Sequence, residues 1–221
     1  MKKTILMLAA IVFGLTTMAQ FSYGPKVGLN LANFSGDDIE DNSMLIGFNA
    51  GLVGDIAFNE MFGLQAEVLY SAKGANIEGV NMDGEEDDIP YKVNYISVPL
   101  MARAEFGSGD MKFRGAVGPQ IGFLMGATID GESEFEIPTG FDINTGQITY
   151  ETMDVKENYK STDIGVAVGA GVTIPAGAMK LLVDARYTMG LSTIADSEGD
   201  EEADVKNGVI GIGVGLLFGG Q

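Results

Sequence analysis

The chain contains no histidine, no cysteine and no tryptophan, and only six of its 221 residues are proline. Without histidine or cysteine there is no Ser-His-Asp arrangement, no histidine-based zinc site and no thiol nucleophile. No disulfide can staple the fold, so its stability must come from backbone ladders and packing. Positive charge is also scarce. Thirteen lysines and arginines face 31 aspartates and glutamates, giving a formal charge of −18. That imbalance excludes nucleic-acid binding by phosphate neutralisation. Beyond the first twenty residues no apolar run reaches the length of a membrane-spanning helix.

What is present points to strands and to export. Thirty-two glycines punctuate runs of Val, Ile, Leu and Phe, a composition that favours strands over helices. Lys2 and Lys3 form a basic start, "TILMLAAIVFGL" an apolar run, and Thr17, Met18 and Ala19 a small-residue end before Gln20. Residues 1–19 read as a cleavable signal peptide, leaving 20–221 as one domain. Losing the two lysines shifts its formal charge from −18 to −20.

Eight segments of roughly ten residues alternate apolar and small or polar side chains, the length a tilted strand needs to cross a bilayer. They lie near Tyr23–Asn33, Leu45–Phe58, Phe62–Lys73, Lys92–Phe106, Met111–Met125, Thr162–Pro175, Met179–Met189 and Gly208–Phe218. Short connections, Asn59–Met61, Gly107–Asp110 and Ala176–Ala178, alternate with long ones, Phe34–Met44, Gly74–Tyr91, Gly126–Ser161 and Gly190–Asn207. This rhythm predicts an all-β, eight-stranded, antiparallel up-and-down barrel with every long loop at one rim. The long connections carry 24 of the 31 acidic residues. Such charge cannot be buried unpaired, so that rim belongs in water.

The stretch "NYISVPLMARAEF" decides which face of the wall is wet. Ile96, Val98, Leu100, Ala102, Ala104 and Phe106 alternate with Tyr95, Ser97, Pro99, Met101, Arg103 and Glu105. In "FGLQAEVLYSAK", "STDIGVAVGAGVTIP" and "LLVDARYT" the bulky aliphatic residues likewise share one face and the glycines and charges the other. An eight-stranded barrel has room inside for little more than its own side chains. Aliphatic bulk therefore faces lipid and the small and polar set fills the lumen, while closure satisfies the backbone. An Arg or Lys at the lipid-facing midplane would cost roughly 2–4 kcal/mol. The alternation puts Glu67, Arg103, Glu105, Asp184 and Arg186 inside, where they are expected to form a structural salt network that Lys26 or Arg114 extends.

"FGLQAEVLYSAKG", "YISVPLMARAEF", "FRGAVGPQIGFLMG", "LLVDARYTMGL" and the closing "IGIGVGLLF", in this order and spacing, resemble the PorT-like outer-membrane β-barrel proteins often labelled porin family. The similarity runs from Gly24 to Phe218. It implies an eight-stranded barrel in a bacterial outer membrane, with Glu67, Arg103 and Arg186 matching inward polar positions. Strands of such barrels typically finish on an aromatic residue, whereas here Gly219, Gly220 and Gln221 follow Phe218.

Paired carboxylates such as Glu67 and Glu105 lie beside arginines, which favours a structural network over a shared catalytic proton. Gly208, Gly211, Gly213 and Gly215 of "GVIGIGVG" lack the helix and Lys-Ser/Thr pair of a phosphate loop and read as inward small residues. Two acidic runs offer oxygen donors for a divalent cation that would bridge to lipopolysaccharide phosphates. They comprise Asp83, Glu85, Glu86, Asp87 and Asp88, then Asp196, Glu198, Asp200, Glu201, Glu202 and Asp204. Neither has the spacing of a defined Ca²⁺ loop, and the competing reading is a solvated rim that repels anions. Tyr23, Phe34, Phe58, Phe62, Tyr91, Phe106, Tyr187 and Phe218, near segment ends, are expected to form interfacial girdles.

The expectation is a non-enzymatic outer-membrane barrel, without cofactor, with a filled polar lumen and extracellular acidic loops. Its termini are periplasmic, its surroundings lipid and lipopolysaccharide, and its role structural or one of surface contact. The alternatives are a small cation-preferring pore and an accessory barrel of a secretion or assembly machine.

Overall fold

The structure, a computed structural model, describes residues 20–36, 42–80, 86–107, 109, 111–129, 138–142, 147–150, 153–196 and 203–220. Its wall is made of β1 (Gln20–Ser35), β2 (Asn42–Ala57), β3 (Phe62–Val80), β4 (Glu86–Phe106) and β5 (Lys112–Ile129), continued by β9 (Thr162–Ala176), β10 (Met179–Gly190) and β11 (Lys206–Gly219). Within the long connection after β5 lie β6 (Pro138–Asp142), β7 (Gln147–Tyr150), β8 (Met153–Asp154) and a 3-10 turn at Lys156–Asn158. Each wall strand pairs antiparallel with its chain neighbours. β5 pairs with β9, and β1 with β11 from Ser22↔Gly219 to Ser35↔Lys206, which closes the barrel. Eight strands thus leave no free edge in the wall.

All eight segments become wall strands, and the three short connections become the turns. The long connections are shorter than expected. The ladder between β3 and β4 runs on from Gly74↔Lys92 to Val80↔Glu86, so most of Gly74–Tyr91 is a projecting hairpin rather than loop. The sequence pattern misses this extension for a physical reason. Outside the bilayer both faces of a hairpin are wet, so pairing continues with no apolar alternation to announce it.

Alternation holds along the wall except at two register shifts, between Met44 and Asn49 and between Asn94 and Tyr95. Val27, Leu29, Ile46, Leu52, Val68, Val117, Val168, Ile212 and their neighbours point outward, Ile46 with 72% of its surface exposed, and form a continuous apolar belt. Lys26, Asn30, Asp55, Glu67, Arg103 and Arg114 point inward and are buried. Tyr23, Phe58, Phe62, Phe106 and Phe218 stand exposed at the turn rim, and Phe21 stacks on Tyr23 at 5.6 Å. Phe34 departs from the expected girdle. It shares the inward parity of Lys26 and Asn30 and is buried in the lumen with 3% exposure, and Tyr91 packs against the same cluster. Proximity to a strand end does not set the face of Phe34; parity does.

The chain end beyond Phe218 also has a structural account. Gly219 and Gly220 take φ of 88° and 72°, a region costly for residues with a Cβ, and turn the chain off β11. Lys180 Nζ then donates to Gly220 O at 3.2 Å, while Phe218 keeps its outward place in the belt.

Candidate functional site

The lumen is the chemically distinctive part of the molecule. The inward residues of β3 read its tiers in order from turn rim to loop rim: Gln65, Glu67, Leu69, Ser71, Lys73 and Ala75.

The lowest tier centres on Asp55 of β2. Arg103 of β4 grips both its oxygens through Nε and Nη2 at 2.8–3.1 Å, Arg114 of β5 also donates to Oδ2, and Arg103 Nη1 reaches Glu105 Oε2 at 2.9 Å. Thr173 Oγ1 donates to Glu105 Oε1 at 3.0 Å. Gln65 links this tier to the next, accepting from Arg114 Nη2 at 3.0 Å and donating to Glu67.

In the middle tier Glu67 is held by a two-pronged contact from Arg186 of β10, at 2.7 and 2.9 Å, and by Lys26 Nζ of β1 at 3.0 Å. Lys26 also donates to Asp184, whose Oδ1 lies 3.5 Å from Arg186 Nη2. The planar fork of Arg186 matches the carboxylate geometry of Glu67. The glycines of β11 make room for these long cations. A Cβ on Gly213 would meet Lys26 Cε at 2.7 Å, and one on Gly211 would meet Arg186 Cγ at 3.5 Å.

Above them Asn30 donates to Ser71 Oγ at 3.0 Å and accepts from Asn49 Nδ2 at 2.7 Å. Lys73 Nζ then pairs with Asp163 Oδ2 at 2.9 Å, and Asn207 Nδ2 donates to the same oxygen at 3.0 Å. Lys73 Nζ also lies 4.8 Å over the Tyr95 ring. An apolar plug of Phe34, Ala75, Val93, Tyr95, Ala127, Val155 and Ile194 closes the loop end. Val155 and Ile194 come from loops tied over the mouth: Val155 N donates to Ala127 O, Lys160 N to Ile194 O and Ile194 N to Val205 O, at 2.7–2.9 Å. Beside them burial, with a smaller contribution from Tyr91, pushes the Tyr159 phenol up to about 12.

The paired tiers are neutral one by one. Two arginines balance Asp55 and Glu105, Lys26 and Arg186 balance Glu67 and Asp184, and Lys73 balances Asp163. Little open space remains between them. The cavity beside Lys26, Asn49, Lys73 and Ser97 measures about 30 Å³, and that beside Gln65, Met101 and Arg114 about 20 Å³. A wider recess of about 230 Å³ opens at the turn rim, bounded by Asp55, Arg103, Glu105, Lys112 and Lys180.

The five residues expected to form a network therefore fall into two clusters. Glu67, Asp184 and Arg186 meet around Lys26, whereas Arg103 and Glu105 meet Arg114 and Thr173 around Asp55. Sequence reasoning missed Asp55 and Gln65. The signal for Asp55 was its parity with Asn49, Gly51 and Val53, obscured because β2 carries Gly54 and Ala50 on its outward face.

Of the acidic runs, Asp83, Glu85, Glu198, Asp200, Glu201 and Glu202, and the side chains of Glu86 and Asp87, lie outside the described residues. Asp88 accepts from Ser43 Oγ at 3.4 Å, Asp196 is exposed, and Asp204 pairs with Lys206 at 2.6 Å. Among the described residues no three acidic side chains gather closely enough to hold a metal ion.

The family model described as outer membrane protein beta-barrel domain matches residues 16–196. Among solved structures the chain is similar to Neisserial surface protein A, at 15% identity and a TM-score of 0.50, over 90% of this chain and 99% of that one. It is also similar to Ail, the attachment invasion locus protein of Yersinia pestis, solved with the heparin analogue sucrose octasulfate. That match has 19% identity and a TM-score of 0.44, over 90% of this chain and 99% of that one. The likeness to the Neisserial protein is one of fold. No curated protein matches the chain.

Proposed function

The chain belongs to the outer membrane protein beta-barrel domain family, and from that premise we propose that it is a non-enzymatic, non-conducting barrel of the bacterial outer membrane that presents acidic loops for surface contact. In this reading residues 1–19 direct export and are removed. The short turns and chain ends face the periplasm, and the acidic loops face outward among lipopolysaccharide headgroups. The apolar belt accounts for the lipid contact, since it carries no charged side chain from Val27 across to Ile212.

The observation that carries the proposal is the filled, neutral lumen. Its ion-paired tiers leave cavities of about 30 and 20 Å³, space for isolated waters rather than a hydrated ion. A cation-preferring pore needs uncompensated carboxylates along its path. Here each interior carboxylate has a cation within a salt-bridge distance. Planar-bilayer recording on protein whose folding is verified by a heat-dependent gel shift tests the reading. Silence is expected, and reproducible cation-selective steps would overturn it. The accessory-barrel reading that goes with a PorT-like resemblance requires a protein partner, which crosslinking through the acidic loops followed by co-purification would reveal.

A further inference from the structure

The upper half of the lumen differs from the lower in how its polar atoms are satisfied. Asn49 Oδ1, Tyr95 OH, Ser97 Oγ, Asp163 Oδ1 and Asn207 Oδ1 are shielded from solvent and have no hydrogen-bond partner within the chain. Below them, the buried side-chain atoms of Asp55, Gln65, Glu67, Arg103 and Arg114 are all engaged. The unpartnered set is chemically uniform. Three atoms are pure acceptors and two are hydroxyls that donate or accept. A buried acceptor left unpaired costs more than its hydrogen bond would have contributed, so the three acceptors in this compartment demand a source of donors.

Room for that source lies beside two of them, Asn49 and Ser97. The cavity of about 30 Å³ is lined by Asn49, Ser97, Lys73 and Gln120, and a single water needs roughly 10–15 Å³ by this measure. A metal cation fits the acceptors less well. Lys73 already neutralises Asp163, and a further positive charge in this closed compartment would be uncompensated. Water supplies donors without adding charge. Toward the loop end, Tyr95 shares one buried apolar cluster with Val155 and Ile194, which are 9% and 0% exposed. We propose that the upper lumen is a closed hydration site holding ordered water against Ser97 and Asn49. The apolar stopper of Val155 and Ile194 governs its exchange with loop-side solvent. The inference deepens the closed-barrel reading and rests on it for the seal beneath.

Because the chain has no cysteine, Ser97→Cys introduces a single thiol into the folded barrel. In lipid vesicles, with folding checked by the gel shift, a membrane-impermeant methanethiosulfonate should label it slowly. Adding Ile194→Ser should accelerate labelling about tenfold or more, since losing a buried aliphatic side chain weakens closure by at least that factor. Val155→Ala, a milder change, should act in the same direction and serves if the first variant does not fold. Gln65→Cys, below the middle tier, should stay protected in every background. Ser97→Cys labelling that ignores both stopper variants overturns the gate. Conductance accompanied by labelling of Gln65→Cys overturns the closed-barrel reading instead. Hydration has its own sign test in Ser97→Ala. If the hydroxyl holds water, its removal lowers the urea midpoint of unfolding. A midpoint that rises or stays put shows a dry, orphaned hydroxyl and overturns the hydration site.

Discussion

The two faces of the same strands carry opposite kinds of information. On β4, Tyr95, Ser97, Pro99, Met101 and Arg103 are buried inward, while Leu100 and Phe106 stand 45% and 52% exposed outward. The outward set is interchangeable in kind: any side chain with apolar bulk meets acyl chains equally well. The inward set is not, because Arg103 reaches Asp55 and Glu105 with fixed geometry and each partner has its own further contacts. The contrast teaches that a membrane barrel keeps its structural specificity in the lumen and its solvent compatibility on the wall, the reverse of a soluble barrel.

The sharpest way to break this contrast is to remove Glu67. Lys26 and Arg186 would lose their shared carboxylate in a buried tier, and breaking such a group by deleting one partner costs about 3–5 kcal/mol. Glu67→Leu is therefore expected to shift the urea unfolding curve of the refolded protein strongly. An outer-face change of similar size, Leu100→Ala, should shift it far less. Equal shifts would mean that the faces do not divide the work in this way. The next largest effect comes from placing a charge on the wrong face. Val168→Arg sets a guanidinium in the belt between Val117 and Tyr187, with an expected loss of about 2–4 kcal/mol at the midplane. Measured in lipid vesicles, a loss near zero would place Val168 close to a rim or against protein rather than in hydrocarbon.

Much of this division is legible in the sequence. Period-two alternation fixes which residues share a face. Charge and glycine then identify the inner one, so the inward places of Glu67, Arg103, Glu105, Asp184 and Arg186 follow directly. Their partners do not follow. Pairing depends on stagger between strands far apart in sequence, as with Lys26 and Asp184, 158 residues apart, and alternation says nothing about stagger. Asp55 escaped because Ala50 and Gly54 interrupt the bulky outward set of β2 while Val53 places an aliphatic residue on its inner face, which blurs the contrast. The burial of Phe34 follows from its parity with Lys26 and Asn30, whereas the stopper pair Val155 and Ile194 has no such signal. Both stopper residues come from connections, where tertiary packing rather than a periodic pattern sets burial.

Smaller effects sharpen the inner face itself. Lys73 and Asp163 form the most nearly isolated interior pair, at 2.9 Å. Lys73→Met alone should cost several kcal/mol, because it leaves the Asp163 carboxylate buried and uncompensated. The double variant Lys73→Met, Asp163→Leu should recover to within about 1 kcal/mol of the parent, since replacing a whole buried pair by apolar groups is often close to neutral. A double variant as unstable as the single one would show that Asn207, which also donates to Asp163 at 3.0 Å, carries the coupling instead.

The smallest effect is expected at the loop rim, at Asp196. Asp196 is exposed, and the backbone N–H of this residue rather than its carboxylate ties the loop to Asn158 O at 2.9 Å. Asp196→Asn should therefore change unfolding stability by no more than about 0.5 kcal/mol, the usual bound for a surface substitution away from caps and buried pairs. It should nonetheless move electrophoretic mobility by one charge and weaken any salt-sensitive association with a basic surface. A destabilisation comparable with that of Glu67→Leu would mean that the acidic rim is woven into the fold. The stability of the barrel would then no longer divide between a specific interior and a freely variable exterior.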